Sequence, residues 1–136
     1  MARVANWPRR LIEAVDRHRA LPASWGQSDC FRFAMDCVEA VTGTDPYADV
    51  RGSYDGPVTA ARRLKERGFA DLEAALAAAF PEVPAAKAQR GDLGVTAAAN
   101  GAPACVVFVD AGVIGRGEGE LLRFPRSVVT RAFKVG

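Results

Sequence analysis

Trp25-Gly26-Gln27-Ser28-Asp29-Cys30, followed by FRFAMDCVEAVTG over residues 31–43, is the stretch on which the reading of this chain turns. Asp29 or Ser28 can accept the first free backbone amides of a helix. Cys30, Phe33, Ala34, Cys37, Val38 and Val41 then fall on one stripe at 3.6-residue spacing, and Gly43 closes it. A cysteine in the first helical turn meets unpaired N–H groups and the positive end of the helix dipole. Both favour the thiolate. Cys30 is therefore a candidate nucleophile. The alternative is that it is one more small apolar residue on a buried stripe, as cysteines commonly are.

Outward from this helix, the first half of the chain reads as helical. A helix runs from Pro8, with Asn6 as a possible cap, to about Arg19, with Leu11, Ile12 and Val15 facing inward. Pro22, Ser24 and Gly26 break residues 21–28 into a loop. A polar loop over residues 44–56 leads to a third helix that starts near Pro57, carries Val58, Ala61 and Leu64, and stops at Gly68. A fourth, capped by Asp71, carries Leu72, Ala75, Leu76 and Ala79, and Pro81 and Pro84 end it. From Gly91 the period changes to that of strands, over residues 92–98, 104–110, 112–116, 120–124 and 128–135. Asn100-Gly101, Ala111-Gly112 and Gly117-Glu118-Gly119 supply turns between them. Helices first and strands after, joined by short turns, predict an α+β domain spanning residues 1–136, with an antiparallel meander of about five strands.

Composition narrows the function classes. The chain has 136 residues, 49% hydrophobic and 25% charged, with a formal net charge of +2. No basic run or aromatic-basic stripe implies nucleic acid. No apolar run is long enough to span a membrane, and residues 1–10 lack the apolar core of a secretory signal. Three cysteines without framework spacing make a disulfide scaffold unexpected.

Arg90-Gly91-Asp92-Leu93, directly before the first expected strand, is by itself an ordinary turn. Taken with Trp25, Gly26, Asp29 and Cys30, in this order and at this separation, it resembles the NlpC-type, papain-like superfamily of cell-wall peptidases. More closely, the chain is similar to a small phage-tail-associated branch of that superfamily. The further matching residues are Thr42-Gly43, Asp45-Pro46, Arg51-Gly52, Tyr54, Gly68 and Arg131-Ala132-Phe133. The resemblance implies a papain-like core with the cysteine helix packed on the sheet. It also implies a thiol nucleophile at Cys30 and a histidine on the second strand as base. The old cleft would lie between Trp25, Gly26, Cys30 and the strand around Ala104 and Cys105.

The chain departs from that pattern at the histidine. The corresponding stretch is Gly101-Ala102-Pro103-Ala104-Cys105-Val106-Val107, and the one histidine of the chain is His18. Ala104 or Cys105 stands in its place. Losing general acid–base help costs roughly 10²–10⁴ in rate. His18, near the end of the first helix, is expected to be solvated or to bond a backbone carbonyl, with a catalytic role as the lesser alternative. Asp29 reads as a helix cap before an acid–base group.

Cys30 and Cys37 lie about 10.5 Å apart along the helix axis at 1.5 Å per residue, too far to share one zinc. A site built from Cys30, Cys105 and His18 is geometrically open, but no metal or cofactor is the expectation. Arg62-Arg63, Lys65 and Arg67 form a basic side of the third helix, by default a solvated face. The loop from Tyr47 to Tyr54 is either a contact surface or a cover for the core. The resulting expectation is a non-catalytic interaction module of a phage tail or tail tip, partnered by other tail proteins, in the virion or the bacterial host cytoplasm. An active cysteine hydrolase of peptidoglycan that uses Cys30 is the alternative.

Overall fold

A computed structural model describes residues 2–97, 103–117 and 119–136. Among them are four α-helices: α1 Trp7–Ala20, α2 Cys30–Thr42, α3 Pro57–Glu66 and α4 Leu72–Ala79. Six strands form one antiparallel sheet: β1 Glu82–Val83, β2 Leu93–Ala97, β3 Pro103–Val109, β4 Gly112–Arg116, β5 Leu121–Phe124 and β6 Arg131–Phe133, in the order β1-β6-β2-β3-β4-β5. The protein is thus α+β, as its pattern predicts.

α2 organises the core. It begins at Cys30 because Asp29, in extended conformation, accepts from the Arg32 amide, and it closes at Gly43. Nine of its thirteen residues are buried. α1 packs along it, and it lies across β3 and β4. Phe33, Cys37 and Val41 meet Leu93, Val95, Cys105, Val107 and Phe133 on the near face of the sheet. The register Val95↔Cys105 and Leu93↔Val107 places these residues side by side. The far face is covered as well: Val106, Phe108, Val113 and Ala132 pack under Ala88 and Val129. Burying one such phenylalanine or leucine is worth about 1.5–3 kcal/mol, so this double-sided core is the main source of stability.

The sheet differs from the expected meander in two ways. The run β2-β3-β4-β5 is a meander, but the last strand crosses back to lie between β1 and β2. β1 itself, two residues flanked by Pro81 and Pro84, is a strand that the sequence pattern does not predict. The expected strand over residues 128–135 is a 3-10 turn at Arg126–Val128 followed by the three residues of β6. The Asn100-Gly101 turn, residue 98 of the first expected strand and Glu118 lie outside the described residues.

One inward assignment is corrected, that of Ile12, and the apolar residues of α3 are left uncovered. Ile12 is 50% exposed and Val58 69% exposed. Ala61 is exposed too, and α3 has no buried residue. Its apolar stripe finds no facing element beyond the partly buried Leu64. The loop between Tyr47 and Tyr54 resolves toward the cover. Both rings are buried, Tyr47 donating its hydroxyl to the Ala75 carbonyl and Tyr54 to Asp29.

Candidate functional site at the start of the second helix

The turn before α2 is held by one carboxylate. Asp29 Oδ1 accepts from the Arg32 amide at 2.9 Å and Oδ2 from the Gly26 amide at 2.7 Å. The Tyr54 hydroxyl donates to Oδ2 at 2.8 Å. Burial, then the Asp29 carboxylate, push the Tyr54 phenol well above its ordinary range, which keeps it a donor. Gly26 has φ +86°, and a Cβ there would collide with the Tyr54 carbonyl oxygen. Only glycine fits where the loop passes so close to another backbone. Asp29 is therefore a cap with its acceptor capacity engaged, consistent with its sequence reading.

Cys30 is half-buried at the first position of α2, with the backbone N–H of Cys105 on β3 near enough to favour its thiolate. Cys105 itself is fully buried and Ala104 half-buried, while Trp25 is 43% exposed. The structure places Cys30 beside Cys105 of β3. It does not show the expected activation of the thiol. Burial pushes the Cys30 thiol up, and the nearby Asp29 carboxylate adds to this. The amides of Cys105, Phe31 and Cys30 itself oppose the shift without reversing it. Dipole and amides favour the thiolate, but desolvation beside a carboxylate wins. Burial raises Cys37 and Cys105 as well.

His18 corrects the sequence reading most sharply. It is fully buried, with Nδ1 2.7 Å from Ser28 Oγ and Nε2 2.7 Å from Asp36 Oδ2. An ionised carboxylate only accepts, so Nε2 carries the proton toward Asp36. Arg32 Nε and Arg51 Nη2 hold the other Asp36 oxygen at 3.1 and 2.9 Å. Phe33 meets the imidazole edge-on at 5.2 Å. Asp36 lies six residues beyond Cys30, about 120° round the helix. The histidine thus belongs to a different face of α2 from the thiol, and both its nitrogens are engaged there. Arg116 of β4 closes the cluster by donating Nη1 to the His18 carbonyl at 2.7 Å. Among the described residues no group of three or more His, Cys, Asp or Glu side chains is placed to hold a metal ion.

Ser28, Asp36, Arg51 and Arg116 were not singled out from the sequence as members of the cluster around His18. The one local signal was Asp36 itself, a carboxylate on an otherwise apolar side of the central helix and four residues from Arg32.

The fold and site define a class: an α+β domain whose central helix presents a capped cysteine to the second strand of an antiparallel meander. Residues 2–135 match the family described as Domain of unknown function (DUF6950), and the chain belongs to that family. No curated protein and no solved structure matches it. No helix among the described residues is long and apolar enough to cross a membrane.

Proposed function

We propose that this protein is a non-catalytic NlpC-like module that works by contact, as a component of a bacteriophage tail, at or near the tail tip, or of its assembly. The observation that carries the loss of catalysis is the surroundings of Cys30. Cys30 opens α2, where the resemblance puts a nucleophile, yet the strand facing it offers a backbone amide and a buried cysteine. The single histidine is bonded to Ser28 and Asp36. Acyl transfer needs a base to take the thiol proton and an acid to release the leaving amine, and no described group beside Cys30 supplies either. The tail location is supported by the resemblance of Trp25, Gly26, Asp29, Cys30 and Gly91-Asp92 to the phage-tail branch, and by nothing in the chemistry of the site.

Two measurements test this reading. Iodoacetamide should label Cys30 of the native protein no faster than an unperturbed cysteine, with half-maximal labelling above the ordinary value of 9.0. Rapid labelling with a midpoint near neutrality would restore the hydrolase. Mass spectrometry of purified phage particles should find the protein in constant proportion to a known tail subunit. Its absence from both particles and tail intermediates would remove the tail assignment.

A further inference from the structure

β5 is the outermost strand on its side of the sheet. In an antiparallel ladder every second residue turns its N–H and C=O away from the partner strand. No side chain or loop among the described residues hydrogen-bonds to the backbone of Leu121–Phe124 from outside. The two faces of the edge differ: Arg123, paired with Ile114, shares the near face with α1, whereas Leu122 and Phe124 lie on the far face. Leu122, 50% exposed, stands on the far side, and Ile12 of α1, also 50% exposed, stands over the near side. Between α1 and this edge lies a groove of about 230 Å³, with Leu11, Val15 and Ile114 on its floor.

The charge at the groove has one sign to spare. Arg90 and Asp110, at one end, face each other at 3.6 Å. Arg19 and Arg123 stand at the rim opposite Asp16 alone. No carboxylate of the described residues lies within ion-pair distance of either arginine. Short edge strands that carry a charge and end at a proline resist indiscriminate pairing, and β5, with Arg123 and the following Pro125, has these features. Two copies joined edge to edge would also crowd both Arg123 side chains and both Arg19 side chains into one seam.

Resting on the interaction-module reading, we propose that the β5 edge accepts an extended segment of a partner protein in which acidic and apolar residues alternate. The segment extends the sheet by one strand. Its carboxylates, on the near face, meet Arg19 and Arg123, and its apolar side chains, on the far face, extend the surface of Leu122. Main-chain bonds would give affinity and the alternate side chains selectivity, as in other strand additions.

The test is an amide NMR titration of the whole protein with the capped peptide Glu-Val-Glu-Ile-Glu-Val-Glu and its lysine counterpart. The acidic peptide should shift amides of Leu121–Phe124 and of residues 12–19. Arg123→Glu, an exposed change, should weaken it about tenfold, the loss of one charge-assisted contact, and Arg123→Ala by less. Equal binding of the lysine peptide, shifts centred on α3, or no shift at β5 would each overturn the proposal. The two readings fail separately: rapid alkylation of Cys30 sinks the non-catalytic assignment and leaves the edge untouched, whereas a silent β5 leaves the Cys30 argument standing.

Discussion

Asp36→Ala is expected to cost the fold about 3–5 kcal/mol, the range for removing one partner of a buried ion pair. Asp36 is 6% exposed and carries three side-chain contacts. Arg32 and Arg51 are partly exposed, and Arg51 keeps Asp45 at 2.7 Å and Glu39 at 3.2 Å, so water and those carboxylates can compensate them. His18 has no such recourse. It lies fully buried against Phe33, and without Asp36 its Nε2–H points into protein with nothing to accept it. Most of the loss is therefore located at the imidazole. Urea unfolding followed by the fluorescence of Trp7 and Trp25 measures it. The pair His18→Leu with Asp36→Leu should recover part of the deficit, because an apolar pair leaves no orphaned donor, and a double-mutant cycle isolates the coupling. A loss below about 1 kcal/mol, the scale of an exposed pair, would mean that the cluster is wet and the reasoning wrong.

The same cluster sets an acid limb. Burial alone would raise the Asp36 carboxyl, but the hydrogen bond from His18 and the charges of Arg32 and Arg51 outweigh it and hold it below the ordinary 3.8. A folded-state value below the unfolded one gives stability that is fully present above the unfolded value. That stability is lost as pH falls through the folded value. The Asp36 contribution is therefore intact above about pH 4 and is lost progressively as pH falls below it, and Asp36→Asn should flatten that part of the stability profile.

How much of this was legible follows from the range of each interaction. The four helices and their caps depend on neighbours three or four residues apart, and Asp29, Asp71 and Gly43 announced them. The place of Cys30 at a helix start was legible for the same reason. Its ionisation was not, because the dipole is a local property whereas burial against β3 depends on a strand 75 positions away. Ile12 and Val58 kept the period of a buried stripe, but periodicity shows which face is apolar and not whether anything covers it. β6 carries no local mark of its destination; its insertion beside β2 shows only in long-range pairs such as the Thr130 amide on the Val95 carbonyl. His18 joins residues 10 and 18 positions away, and nothing near it in sequence named Ser28 or Asp36.

Asp92→Ala should be as damaging, about 3–5 kcal/mol, and its effect should appear first at the two ends of the chain. The pair Gly91-Asp92 entered the sequence reading as an ordinary turn or a family signature; the structure gives it a mechanical role. Asp92 is 3% exposed, and its Oδ1 accepts from Arg3 Nη2 at 2.9 Å and from the Val135 amide at 3.0 Å, while Oδ2 accepts from the Gln89 amide at 2.8 Å. Arg3 also donates to the Val135 carbonyl at 2.9 Å and the Arg90 carbonyl at 2.7 Å, and it stacks on Trp7 at 4.4 Å. Gly91, at φ +92°, leaves the space in which the Arg3 guanidinium lies. One carboxylate therefore joins residue 3, residue 135 and the start of β2. Without it, a largely buried guanidinium and two amides lose their acceptor together, which exceeds the loss of a single hydrogen bond of about 1 kcal/mol. In Asp92→Asn one carbonyl oxygen survives to accept, but the amide nitrogen would face a donor, so an intermediate loss is expected. Hydrogen exchange should show the Val135 amide losing protection before those of α2, because the clamp holds the ends while the core around Phe33 is independent of it. Uniform loss of protection across the chain would mean instead that Asp92 acts on the fold as a whole. An unchanged Val135 would mean that the clamp contributes nothing.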